Sequence, residues 1–141
     1  MKRALIIYFL SILCVTGPAR AGSEINTAAL RLPLGFSIEV LVADVPDARS
    51  MALGDQGTLF VGTRRNGNVY AIRNVFGNQP EVLTIAAGRR TPNGVAFHDG
   101  DLYLAEVGRI SRFSDIEGRL RDPGDPEIVV DDLPPAKLHS W

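Results

Sequence analysis

Cysteine is almost missing from this sequence, and the one present, Cys14, sits in an apolar stretch near the N-terminus. With no second thiol, neither a disulfide framework nor a thiolate metal site can form. Histidine occurs at only two positions, His98 and His139, and no zinc-ligand cluster, Gly-rich phosphate loop or nucleophile elbow is present. Dense basic runs are missing too. Only the pairs Arg64-Arg65 and Arg89-Arg90 stand together, which gives a nucleic-acid partner no electrostatic support. Nor does any segment hold a sustained helical period, so a helical bundle is excluded.

The longest apolar run, residues 4–15, follows Lys2 and Arg3 and precedes Gly17-Pro18 and Ala19-Arg20-Ala21. This is the layout of a secretory signal peptide with cleavage after Ala21. Twelve helical residues rise only about 18 Å against a hydrocarbon core of roughly 30 Å, so a stable membrane anchor is not expected. Leu13 before Cys14 does not suit a lipoprotein signal. The reading is therefore an exported protein, periplasmic or secreted, with a leader over residues 1–21 and one domain over 22–141. Beyond the leader, twelve basic residues face sixteen acidic ones, a net charge of −4.

What the sequence does have is a passage that occurs twice. Residues 50–72, SMALGDQGTLFVGTRRNGNVYAI, return as residues 93–113, NGVAFHDGDLYLAEVGRISRF. Gly57, Leu59 and Val61 map to Gly100, Leu102 and Leu104 by an offset of 43, and Val69 and Ile72 map to Ile110 and Phe113 by an offset of 41. Repeats of roughly 40 to 45 residues made of short strands read as β-propeller blades, because one such sheet cannot bury both its faces alone. The spacing predicts strands at 49–53, 58–62, 68–73 and 81–86, then at 94–97, 102–105, 109–113 and 127–130. Residues 36–42, FSIEVLV, alternate apolar and polar and are expected to form a leading strand that closes the last blade.

The fold class is thus all-β, a partial propeller of two four-stranded blades plus an N-terminal closing strand. Closed rings need about four to eight blades, which predicts that this chain is the front part of a longer protein. Open sheet edges predict self-association.

Antiparallel meanders sort their loops onto two ends. Residues 43–49, 64–67, 88–93, 106–108 and 131–139 share one end, and most of the unusual chemistry falls there. His139 lies in the link DDLPPAKLHSW, where an imidazole could act as a general base or be a plain loop residue. Arg64 ends a strand at this rim, where its guanidinium fork could hold a carboxylate-bearing cofactor or simply pair with a nearby acid. Asn93, before Gly94 at the head of an inner strand, offers a donor and an acceptor towards a channel, or merely shapes a Pro-Asn-Gly turn. Glu106 could orient a substrate hydroxyl, with an ion pair to Arg109 as the simpler account. His98, at the opposite end beside Asp99-Gly100, reads as surface, and the acidic stretch 122–127 as a turn rather than a calcium loop.

The segments LPLGFSIEVLVADVPDARSMALGDQGTLFVGTRRNGNVYAI, PNGVAF, LYLAEVGRISRF and LPPAKLHSW together resemble the sorbosone dehydrogenase family. That family is related to the soluble glucose and pyranose dehydrogenases that use pyrroloquinoline quinone. The resemblance runs from Leu32 to Trp141 and implies a six-bladed parent carrying the quinone, with calcium beside it, at the top of its channel. It implies that His139 is the base that takes the sugar hydroxyl proton, and that Arg64 and Asn93 lie on the cofactor side. Two departures stand out. Residues 74–80, NVFGNQP, lack the Asp-rich insertion of many relatives, and the calcium ligands and most quinone-binding arginines and lysines of the family match nothing within this chain.

The expected function is that of an N-terminal portion of an exported, quinone-dependent sugar or aldose dehydrogenase, inactive alone, whose parent takes a small sugar substrate. A non-enzymatic secreted propeller that binds a partner on its rim is the alternative. So is a lactonase-like propeller, for which only Glu106 is a candidate ligand.

Overall fold

The computed structural model describes residues 26–134, and the expected leader and His139 lie outside them. Eight strands form two four-stranded antiparallel sheets. The first holds β1 (Ala48–Leu53), β2 (Leu59–Thr63), β3 (Val69–Arg73) and β4 (Glu81–Ala86), in that order. The second holds β5 (Gly94–His98), β6 (Asp101–Glu106), β7 (Arg109–Phe113) and β8 (Glu127–Val130), again in chain order. Every strand expected from the repeat is present, with ends moved by one residue at most.

The turns explain these boundaries. His98 pairs with Asp101, leaving Asp99-Gly100 as a two-residue loop. Both central residues take positive φ, 49° and 84°, the combination that matches the twist of a tight hairpin and that Asp-Gly supplies at low cost. In the first sheet the reversal is held by the Gly54 amide donating to the Thr58 carbonyl at 2.8 Å.

Strands β2 and β3 are apolar on both faces because both faces are covered. Phe60, Val69, Ala71 and Ile85 face the second sheet, where Leu102, Leu104, Phe113, Ile116 and Leu120 complete one core. Phe60 stacks on Phe97 with centroids 5.7 Å apart and planes 10° off parallel. Ile116 comes from a single 3-10 turn, Ile116–Gly118, that covers the far end of this seam. The next residue of that turn, Glu117, reaches across the seam to accept from the amides of Gln56 at 2.9 Å and Thr58 at 3.2 Å. Gly54 leaves room for it, since a Cβ there would stand 2.5 Å from the Glu117 carboxyl carbon. The leading strands β1 and β5 lie side by side.

One expectation fails. Residues 36–42 form no strand. They run as irregular chain, with Phe36, Ile38, Val40 and Leu41 exposed. Alternation fits one face of a sheet, but a strand also needs a backbone partner, and among the described residues none lies beside this segment. Val42, its last residue, and Val45 beyond it pack against the outer face of the first sheet, on Val61, Tyr70, Ile72 and Val75. The remainder of that face keeps Met51 and Leu53 exposed, so the two sheets do not close on themselves.

Candidate functional site

The links expected to share one end do so. The Thr63 amide donates to the Pro92 carbonyl at 3.1 Å, Arg89 to Gly67 at 2.9 Å, Val107 to Arg90 at 3.1 Å and Leu133 to Gly108 at 3.1 Å. Three of these bonds join two different loops and the first joins the end of β2 to a loop, so this end of the sheets is a single laced surface. The start of the link that runs on to His139 is fixed to it through Leu133. His139 itself falls outside the described residues.

Asp47 anchors the first loop. Its Oδ2 accepts from the amides of Arg64 at 3.0 Å and Asn66 at 2.9 Å, and from that of Arg65. These donors, led by Asn66 and Arg65, hold the carboxyl below its ordinary value of 3.8, because each bond favours the charged form. A depressed carboxylate adds stability above its unfolded pKa and loses it as pH falls through its folded value. We therefore expect the urea midpoint of the native chain to exceed that of Asp47→Asn at neutral pH, with the gap closing below pH 3.8. Asparagine keeps the turn, since it tolerates the positive φ of 61° found there. A gap that stays constant down to acid denaturation would contradict this.

Glu106 ties the second loop to the seam. Its side chain is fully buried. It accepts from the Arg90 amide at 3.1 Å and from Arg109 Nε at 3.1 Å, and Arg89 Nη1 stands 3.9 Å away. The ion pair with Arg109 follows from the sequence. The reach to Arg89 and Arg90 does not, because those residues belong to the link that leaves the first sheet.

With these ties in place, Arg64, Arg65, Arg89 and Arg90 line one open depression of about 510 Å³ together with Thr91 and Val107. Sequence reasoning singled out only Arg64 among them. All four were legible as two basic pairs, both in links assigned to the same end, and that coincidence was the available signal.

Asn93 lies beside this mouth. Its carbonyl accepts from the Ser50 hydroxyl of β1, and it packs so closely on β2 that a Cβ at Gly62 would stand 2.5 Å from its oxygen. Its Oδ1 is buried and has no partner among the described residues. The geometry therefore brings Arg64 and Asn93 to the same loop end. His98 is exposed at the other end, 3.3 Å from Asp99, in line with its reading as surface. Among the described residues no group of three or more His, Cys, Asp or Glu gathers in a metal-binding arrangement, and no helix is long and apolar enough to cross a membrane.

No family model matches the chain. A curated relative, an uncharacterized protein of Borreliella burgdorferi, is 25% identical over 101 residues. That match takes in 71% of this chain but only 25% of the relative's own length.

Proposed function

We propose that this chain is the leading portion of an exported β-propeller dehydrogenase that oxidises a sugar or aldose with pyrroloquinoline quinone as acceptor. The observation that carries the reading is the lacing of inter-strand links at one end of two packed meanders, with the leading strands side by side. A ring of such sheets would set β1 and β5 around a central hole and these links at its mouth. The free face of the first sheet, with Met51 and Leu53 exposed, supports a further sheet or a second copy packing there.

The residues present fit one edge of a carboxylate-bearing quinone. Arg64 offers a fork for a carboxylate, and the orphaned Asn93 Oδ1 offers a buried acceptor at the head of the inner strand. The quinone, when bound, supplies the hydride acceptor that amino-acid side chains cannot provide. His139, in the link fixed at Leu133, would take the proton from the substrate hydroxyl, a role an imidazole fills near neutral pH. Among the described residues no carboxylate set gathers that would hold calcium.

The test compares this chain with a longer reading frame that extends past Trp141. With quinone, calcium and a redox dye, the longer protein is expected to oxidise aldoses and this chain is not. His139→Ala in the longer protein should abolish turnover while quinone binding, read from the quinone absorbance, persists. Quinone binding without turnover in the unaltered longer protein would favour the binding-module reading and defeat the dehydrogenase.

A further inference from the structure

The four-arginine depression has properties that do not depend on any quinone. We infer that it is a binding site for a small oligoanion, a molecule carrying at least two carboxylate or phosphate groups. Charge gives the first argument. Four guanidiniums, those of Arg64, Arg65, Arg89 and Arg90, line the depression, and no carboxylate is among its lining residues. The chain as a whole carries a net charge of −1. The lining is therefore cationic while the chain as a whole is slightly acidic, and such a concentration of charge draws small anions in.

The second argument is how the two carboxylates are used. Asp47 spends its Oδ2 on backbone amides of residues 64–66. Glu106 is buried beneath the rim and satisfied by Arg109 and the Arg90 amide. Both fix the loops, and Glu106, 3.9 Å from Arg89 Nη1, offsets one of the four lining charges. Arg65 and Arg90 remain exposed, and among the described residues no carboxylate pairs with the Arg90 guanidinium.

Preorganisation is the third. The loops bearing the arginines are locked by the Arg89–Gly67 and Val107–Arg90 bonds. Gly67, at φ 74°, allows an approach in which a Cβ would stand 2.9 Å from the Arg89 carbonyl oxygen. A site whose backbone is already ordered loses less entropy when it binds. Paired forks suit carboxylate and phosphate oxygens, and Thr91 adds a hydroxyl at the rim. The volume of about 510 Å³ suits a small molecule rather than a polymer.

Calorimetric titration of the chain with citrate, with pyrophosphate and with acetate tests this. Citrate or pyrophosphate should bind saturably, whichever is tighter naming carboxylate or phosphate as the preferred group, and acetate should be at least about tenfold weaker because it can engage only one fork. The double variant Arg65→Gln/Arg90→Gln should weaken that binding about tenfold or more, while Arg121→Gln, at the opposite end and paired with Glu81, should leave it unchanged. Both arginines in the double variant are exposed, so its urea midpoint should match that of the native chain. The inference is overturned if neither oligoanion saturates below about 10 mM, a binding energy too small for a formed site, or if Arg121→Gln weakens binding as much as the double variant. Because the readout is binding to this chain alone, its failure leaves the dehydrogenase reading standing, and an inactive longer protein leaves this site standing.

Discussion

Truncating Phe60 to alanine is expected to lower the stability of the chain by about 3–5 kcal/mol, the range for removing a buried aromatic without collapse of the cavity. Phe60 is fully buried and belongs to the one core that both sheets share. Its loss also removes the stack on Phe97, worth about 0.5–1.5 kcal/mol beyond area. Domains of this kind hold about 5–15 kcal/mol in total, so the variant is expected to sit near its unfolding threshold at room temperature. Phe60→Leu keeps most of the apolar volume and should recover more than half of the loss. Urea unfolding followed by far-UV circular dichroism measures both. A change below about 1 kcal/mol for the alanine variant, the size of an ordinary surface substitution, would mean the sheets are not packed through this residue.

Glu106→Ala is expected to cost about 2–4 kcal/mol. Breaking a buried ion pair typically costs about 3–5 kcal/mol because one charge is left uncompensated. Here the cost is lower because Arg109 and Arg89 keep 35% and 21% of their side chains in water and can rehydrate. What does not recover is the Arg90 amide, which loses its acceptor. Glu106→Gln retains an oxygen for that amide and should cost about half as much. The comparison is Glu127, which pairs with Arg112 at 2.5 Å but is 62% exposed. Glu127→Ala should cost under about 1 kcal/mol, as exposed pairs do. Equal effects at positions 106 and 127 would show that burial is not what makes Glu106 matter.

The strands were legible because each level of the sequence agrees at them. Leu-Phe-Val before Gly62 and Val-Tyr-Ala-Ile before Arg73 are apolar on both faces and bounded by turn residues, and no other element fits them. Residues 36–42 misled because a period of two records which side chains share a face and not whether another backbone lies alongside. The site was legible in part. Arg64 and Asn93 are placed at one end by strand alternation alone, which needs no tertiary knowledge. Arg89 and Arg90 lie in a link assigned to that end, but their meeting with Arg64 in one depression depends on the Arg89–Gly67 bond and on Glu106, sixteen positions on from Arg90, which no local pattern announces. Asp47 gave no signal, since an aspartate after proline in a loop is ordinary until three amides are found around it.

The seam between the sheets is fastened at both of its ends, by Glu117 on the amides of Gln56 and Thr58 and by Glu106 on the Arg90 amide, with the stacked phenylalanines between. Two tandem copies of one motif share one core in this way, and the two halves are expected to melt as one cooperative unit. Hydrogen exchange would find its slowest amides along β2 and β6 together and, among the strands, its fastest in the outlying β8.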